Sequence, residues 1–247
     1  MAKRKQPPRD PVVIEPPPLT VVSPTYYEDK TKCRYLEESA EILGYKLHLY
    51  GIGKFFSTLR EAKIISLVEE VQKVETDLVL VCDSVDTLLV EPQKELVNRF
   101  LAKRCLLLMA AEKQCYPQPL MAECYPKITS PWRYLNSGAY IGDKVSVAAM
   151  LEEALKLRPH PANVYRSRDW ENDQFLFAQL YIQGFGITLD TDCYVFQCVG
   201  DITEEEYKQA APCLYHFNGH AAGIEKEFEK RFGKLYVAET AGAYHNS

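Results

Sequence analysis

The sequence lacks the features that mark several common classes of protein. None of its eight cysteines forms a Cys-x-x-Cys pair, and no run of 18 apolar residues is present, so neither a zinc knuckle nor a transmembrane helix is indicated. Basic residues are not in excess, because 29 Lys and Arg stand against 34 Asp and Glu, for a net charge of −5. The overall charge gives no support to nucleic-acid binding, although it does not exclude a local basic patch.

The amino-terminal 18 residues differ in composition from the rest. Residues 6–18 include six prolines, which remove backbone donors and favour an extended conformation. We therefore expect residues 1–18 to form a disordered tail and residues 19–247 to form one domain. No apolar segment follows the basic start, so no signal peptide is indicated. Several cysteines lie in apolar runs, which favours buried free thiols in a cytoplasmic protein; a secreted, disulfide-bonded protein is the alternative.

Strand and helix patterns alternate after the tail. Leu19–Ser23 predicts a buried strand, Asp29 and Gly44 bound a helical pattern, and Lys46–Tyr50 predicts a second strand. Asp77–Cys82 is almost entirely apolar, as expected for a central parallel strand covered on both faces. Further helices are predicted at Leu59–Val74, Glu95–Leu101, Val145–Leu157, Trp170–Ile182 and Ile224–Phe232, and further strands at Cys105–Ala111, Tyr134–Ile141, Ile187–Leu189, Tyr194–Gln197 and Leu214–Phe217. The pattern predicts a single α/β domain with a mixed sheet.

The strongest indication of a functional site is the segment Asp83-Ser84-Val85-Asp86, which directly follows the apolar strand predicted at Asp77–Cys82. Open α/β sheets bind ligands beyond the carboxyl ends of their strands. Two carboxylates three residues apart on a turn can face one ion, and carboxylate oxygens suit Mn²⁺ or Mg²⁺. The alternative is that Asp83 caps a turn while Asp86 is solvated.

Four other segments are weaker candidates. His216 ends a short apolar strand and precedes Asn218-Gly219, so its imidazole could bind a metal, or it could be an ordinary core histidine. Lys63 could reach a phosphate as a point charge or extend to water. In the third segment, Asn136–Gly142, the glycines could let a substrate approach the backbone, or they could simply form a tight corner of the sheet. The fourth, Asp169–Gln174, is the acidic start of a helix, in which Asp169 is explained as a cap while Asp173 and Gln174 could face a cleft.

In order and spacing, these segments resemble the glycosyltransferase domain of the procollagen lysyl hydroxylases and their relatives. The resemblance covers about residues 19–221. Asp83-Ser84-Val85-Asp86 is similar to the metal motif of that family, and Asn172-Asp173-Gln174 to its Asp-Asp-Gln segment. Ser137-Gly138-Ala139-Tyr140-Ile141-Gly142 is similar to its Ser-Gly-Gly-Phe-Ile-Gly turn, and His216-Phe217-Asn218-Gly219 to its His-Gly-Asn-Gly. The resemblance implies a GT-A-like domain, a Rossmann-like mixed sheet flanked by helices.

The resemblance also implies roles for individual residues. Asp83, Asp86 and His216 would bind Mn²⁺ or Mg²⁺. Lys63, Asn218 and Gly219 would contact the diphosphate of a UDP-sugar donor. Asp173 would lie near the reacting sugar and the acceptor. Thr25 and Ser84 would lie near the nucleoside.

The implied activity is metal-dependent transfer of a hexose from a UDP-sugar, UDP-glucose or UDP-galactose, to a hydroxyl acceptor on protein hydroxylysine or a glycan. The chain departs from the family at Phe217, where the family has Gly, and no His-x-Asp iron site of a hydroxylase is present. Two alternatives stay open. One is transfer to hydroxylated or hydroxymethylated DNA bases, for which Arg158, Arg166 and Arg168 could supply basic contacts. The other is an inactive sugar-nucleotide-binding module.

Overall fold

The computed structural model describes residues 15–158, 167–219 and 223–243. The strands are β1 (Leu19–Pro24), β2 (Lys46–Tyr50), β3 (Leu78–Cys82), β4 (Thr87–Leu89), β5 (Leu107–Glu112), β6 (Tyr134–Asp143), β7 (Thr188–Leu189), β8 (Phe196–Cys198) and β9 (Leu214–His216). The α-helices are α1 (Arg34–Ile42), α2 (Ser66–Gln72), α3 (Gln93–Ala102), α4 (Lys144–Lys156), α5 (Asp173–Ile182), α6 (Glu204–Gln209) and α7 (Ile224–Ala243). Most of the expected tail, residues 1–14, lies outside the described residues.

Six strands form the main sheet, in the order β2-β1-β3-β6-β5-β7. Strand β1 pairs in parallel with β2 and with β3, whereas β6 runs antiparallel to both β3 and β5. The predicted mixed sheet of an α/β domain is therefore confirmed. The parallel part follows from the connections through α1 and α2, since parallel strands need a crossover.

Helices cover both faces of this sheet. Alternate residues of β3 point to opposite sides: Val79 and Val81 join a core with α2, α4 and α5, while Leu78, Leu80 and Cys82 join a core with α1 and α3. Burial on both faces explains why this strand reads as an unbroken apolar run instead of an alternating one.

Three short strands form a second sheet, in the order β4-β9-β8. Helix α7 packs on it through Ile224, Phe228 and Phe232, which contact an apolar cluster that includes Tyr215 and Phe217. The sequence pattern did not indicate β4 or α6. Strand β4 has only three residues, too few to show a period, whereas α6 carries a capping box between Thr203 and Glu206 that could have revealed it.

Two predicted helices are less regular than expected. The helix expected at Leu59–Val74 begins at Leu59 as predicted, but it contains a π-helical turn at Glu61–Ile65 before it continues into α2. In place of a helix from Trp170, a 3-10 turn at Ser167–Glu171 precedes α5, whose cap is Asn172: its side-chain oxygen accepts the Phe175 amide at 3.0 Å. Each irregular turn lies beside the cleft described below. Within the described ranges, no helix combines the length and the apolar character needed to cross a membrane.

Candidate active site

Three of the side chains singled out in the sequence converge at the carboxyl end of β3. Asp83, Asp86 and His216 each offer one ligand atom, and these atoms lie within 4.8 Å of one another. The His216 Nε2 atom is 3.6 Å from Asp83 Oδ2 and 3.4 Å from Asp86 Oδ2. Two carboxylate oxygens and one imidazole nitrogen could therefore hold a divalent cation.

Strand pairing brings these distant parts of the chain together. Asp83 follows β3, and its amide donates to the Gly138 carbonyl of β6 at 2.9 Å. The chain then turns into β4, where Thr87 lies directly opposite His216 of β9. The Phe217 amide donates to the Asp86 carbonyl at 2.7 Å, which fixes the turn against the second sheet. The small sheet is thus what places the imidazole over the carboxylates.

Asn136 and Gly138 set the orientation of the imidazole. The His216 Nδ1 atom lies 2.9 Å from Asn136 Oδ1, which also accepts the Gly138 amide, so Nδ1 is the donor and Nε2 faces the carboxylates. A Cβ atom at Gly138 would lie 2.0 Å from His216 Cε1. Only glycine leaves room for this ring position.

Burial and opposite charges act against each other in the triad. Burial lowers the pKa of His216, but the carboxylates of Asp86 and Asp83 outweigh it, and the net pKa is raised above its ordinary value. Burial raises the pKa of Asp83, with Lys63 and His216 partly compensating. Burial also acts to raise the pKa of Asp86, but His216 outweighs it and the net pKa is lowered. The buried carboxylates therefore depend on nearby positive charge.

Lys63 supplies part of that charge. Its ammonium lies 2.5 Å from Asp83 Oδ1 and 3.3 Å from Asp173 Oδ2, and its side chain is buried instead of extending to water. Burial acts to lower its pKa, but Asp173 and Asp83 outweigh this and hold the pKa well above the usual range. The π-helical turn aims Lys63 at the cleft; single π-turns within helices are frequent at functional sites.

Glu112 is a further cleft residue, one that was not among those predicted from the sequence. It ends β5, is buried, and accepts from Gln174 Nε2 at 2.6 Å and from Asn218 Nδ2 at 3.0 Å. Burial raises its pKa, although the hydrogen bond from Gln174 acts to lower it. An acidic residue ending an apolar strand is the same signal that identified Asp83, and it could have indicated Glu112 as well. The carboxylate orients Asn218, whose Oδ1 in turn accepts the Gly200 amide at 2.9 Å.

These residues line a cleft of about 520 Å³. Of the predicted site residues, the cleft brings together Lys63, Asp83, Asp86, Asp173, His216, Asn218 and Gly219. A smaller cavity of about 290 Å³ adjoins it and is bordered by Ser84, Tyr26 and Tyr27. Thr25 is fully buried, and its hydroxyl accepts a hydrogen bond from the Tyr27 amide, so it stabilises the loop that carries Tyr26 and Tyr27.

The cleft is acidic. Its lining includes the carboxylates of Asp83, Asp86, Glu112, Asp173 and Asp201, and the cationic side chains that the structure describes there are Lys63 and, when protonated, His216. A polyphosphate would meet net repulsion in such a cleft unless a cation accompanied it.

Comparison with known proteins shows the family of this chain. The family model described as "PLOD GT domain" matches residues 19–212, a range that includes Lys63, Asp83, Asp86 and Asp173 and stops before His216. The human multifunctional procollagen lysine hydroxylase and glycosyltransferase LH3 is 26% identical over 212 residues, 80% of this chain and 27% of that protein. Protein R699 of Acanthamoeba polyphaga mimivirus is 27% identical over 170 residues, 64% of this chain and 35% of that protein. The matches thus span about a quarter to a third of these relatives.

A solved structure shares the fold. It is a glycosyltransferase involved in the glycosylation of the major capsid of PBCV-1, with a TM-score of 0.53 at 15% identity, covering 87% of this chain and all of that one. At this identity the likeness shows the fold alone, a GT-A-like arrangement. Because the family model covers most of the sequence, this chain belongs to the PLOD GT domain family and is a glycosyltransferase.

Proposed function

We propose that this protein transfers a hexose from a UDP-sugar, UDP-glucose or UDP-galactose, to a hydroxyl acceptor and depends on a divalent cation. The observation that carries the proposal is the convergence of Asp83, Asp86 and His216 at the floor of the acidic cleft. Two carboxylates and an Nε2 lone pair suit Mn²⁺ or Mg²⁺. When bound there, the cation supplies Lewis-acid stabilisation of the negative charge that develops on the departing diphosphate.

The cleft residues divide the remaining tasks. Lys63 is buried between two carboxylates and can direct its ammonium at a phosphate oxygen. Asn218, held by Glu112 and Gly200, has a second amide hydrogen for the diphosphate, and the backbone at Gly219 has a positive φ of 76° and borders both cavities. Asp173 is the first residue of α5 and faces the cleft, where its carboxylate can orient an acceptor hydroxyl or stabilise an oxocarbenium-like centre.

The adjoining cavity fits a nucleoside. Ser84 Oγ is buried without a hydrogen-bond partner in the described residues, and it borders this cavity beside the rings of Tyr26 and Tyr27. An unpaired hydroxyl next to aromatic rings offers a donor and a stacking surface to a ribose and base. Asp83 and Asp86 border both this cavity and the cleft, whereas Asp173 borders the cleft, which suits a donor whose nucleoside occupies this cavity and whose sugar occupies the cleft.

The proposal is tested by UDP release from UDP-glucose and UDP-galactose with Mn²⁺, with chelator, and in Asp86→Asn. Asp86→Asn removes one ligand charge but keeps the shape, so we expect UDP release to fall by about 100-fold or more. Glu204→Gln is the matched control, because it removes one exposed carboxylate outside the cleft. Metal-independent release, or an Asp86→Asn variant with unchanged turnover, would remove the assignment.

The acceptor is tested by mass spectrometry of products formed with hydroxylysine peptides, glycans and hydroxymethylated DNA. The five carboxylates of the cleft disfavour a polyanionic acceptor, so we expect transfer to peptide or glycan hydroxyls. Arg158 and Arg168 are exposed, and Arg166 lies outside the described residues.

The alternative of an inactive sugar-nucleotide-binding module predicts UDP binding that does not change with Mn²⁺, which isothermal titration measures directly.

A further inference from the structure

A third and much smaller cavity lies behind the floor of the cleft. Lys63, Asp83, Ser137, Tyr140 and Asp173 are among the residues that border it. It leaves about 10 Å³ of space for the centre of a water-sized sphere. A cavity of this size holds one water molecule when it also offers at least two polar partners.

Two polar atoms of the residues around this cavity lack hydrogen bonds. Tyr140 Oη and Asp173 Oδ2 are buried without a hydrogen-bond partner among the described residues, although Lys63 Nζ forms an ion pair with Asp173 Oδ2 at 3.3 Å. Tyr140 is 2% exposed and Asp173 is 1% exposed, so bulk water does not satisfy them. Buried polar groups are almost always paired, and leaving one unpaired is costly.

Packing fixes the Tyr140 hydroxyl in place. Tyr140 lies in the middle of β6, opposite Val81 of β3 and Met109 of β5. Its ring packs against the Phe177 ring in a T-shaped contact with centroids 5.7 Å apart. Burial first, and then the neighbouring groups Tyr50 and Asp173, raise its pKa well above the ordinary value. The hydroxyl therefore stays neutral and remains a donor, and it cannot turn to another partner without breaking this packing.

We propose that the cavity is the binding site of one water molecule, which accepts from Tyr140 Oη and donates to Asp173 Oδ2. Its second hydrogen can go to Ser137 Oγ, whose own hydrogen is directed at Gln174 Oε1. The water would give both atoms a hydrogen-bond partner and would hold Asp173 beside Lys63. Tyr140 is then a positioning residue for Asp173, an inference that rests on the proposed function only where it concerns turnover.

The first test is structural and uses Tyr140→Phe, which keeps the ring and its Phe177 contact. A crystal structure of the wild type should show a water within about 3.2 Å of both oxygen atoms, and the variant should lose it. The loss of this hydrogen bonding should lower Tm by about 2–4 °C. A dry cavity in the wild type, or a raised Tm in the variant, overturns the proposal, since removing an unsatisfied hydroxyl is stabilising.

The second test separates positioning from general stability. Tyr45→Phe is the matched control, because the Tyr45 hydroxyl donates to the Glu91 carbonyl at 2.8 Å and packs in the core on the other face of the sheet. Tyr140→Phe should lower kcat about three- to tenfold with donor KM and Mn²⁺ affinity unchanged, while Tyr45→Phe lowers Tm and leaves kcat unchanged. Unchanged kcat in Tyr140→Phe overturns the positioning role. If the wild type turns over no UDP-sugar, the proposed function fails, and the water density and Tm still decide the cavity.

Discussion

At the scale of single residues, Gly138 determines whether the imidazole can lie over the carboxylates. An alanine Cβ there would lie 2.0 Å from His216 Cε1, so the ring must leave its place against Asn136 and the triad must open. We expect Gly138→Ala to weaken Mn²⁺ binding about 10- to 100-fold, as measured by isothermal titration, because the ring loses its orientation.

The matched control for this change is Gly233→Ala. A Cβ at Gly233, in α7, would meet only Glu229 Cβ at 3.8 Å, an ordinary contact. This substitution should leave Mn²⁺ affinity unchanged and stabilise the helix by up to about 1 kcal/mol. If Gly138→Ala bound Mn²⁺ as tightly as Gly233→Ala, the close packing of the imidazole on β6 would not matter for metal binding.

At the scale of elements, the site depends on the three-stranded sheet, which holds His216, and on helix α7, which packs on that sheet. Helix α7 contributes Phe228 and Phe232 to the apolar cluster that also contains Tyr215 and Phe217, the residues on either side of His216. Glu227 of the same helix is buried and accepts from Arg231 Nε at 2.6 Å. Because this hydrogen-bonded carboxylate lies on α7, its protonation should loosen the packing of α7 on the three-stranded sheet.

The acid sensitivity of this helix can be predicted from Glu227. Burial acts to raise its pKa, but Arg231 and its other partners outweigh this and hold the folded-state pKa below the ordinary 4.5. The carboxylate therefore stabilises the fold fully above pH 4.5, and this contribution is lost as the pH falls through the folded pKa. We expect Glu227→Gln to lower the free energy of unfolding by about 1–2 kcal/mol at pH 7.

The measurement is Tm against pH for the wild type and two variants. The difference in Tm between the wild type and Glu227→Gln should decrease below pH 4.5 and vanish once Glu227 is protonated. Glu229→Gln changes an exposed carboxylate on the same helix and should follow the wild type at every pH. A Glu227→Gln gap that stayed constant down to pH 3 would show that the charge of Glu227 does not stabilise the helix.

At the scale of the whole molecule, metal binding should stabilise the fold. Two of the ligands lie in the turn between β3 and β4 and the third ends β9, so a cation at the triad would tie the two sheets together. A ligand at about 100 times its Kd adds about 2.7 kcal/mol of stability. We expect saturating Mn²⁺ to raise Tm by about 5–10 °C and chelator to reverse the shift.

The same titration in Asp86→Asn provides the control. This variant keeps both sheets but lacks one ligand charge, so its Tm should rise far less with Mn²⁺. An equal rise in the two proteins would place the stabilising cation elsewhere on the molecule.

Several elements could be predicted because local physics controls them. The apolar run before Asp83 predicts a strand covered on both faces, and β3 has that position. The ends of helices were less certain: α5 begins at Asp173 because Asn172 is its cap, a choice that the polar stretch from Asp169 leaves open. Strand β4 and the π-helical turn could not be predicted, since tertiary pairing and packing stabilise segments too short for a hydrophobic period.

The sequence by itself determined the alternation of strands and helices, the acidic turn after a central strand, and the resemblance that grouped Asp83, Asp86 and His216. Only the tertiary structure decided that the imidazole meets the carboxylates, that Lys63 is buried between Asp83 and Asp173, and that Glu112 orients Asn218. The reason is physical. Strand and helix patterns come from neighbours along the chain, whereas these contacts join residues from different strands and helices, whose distances are set by sheet register and by packing.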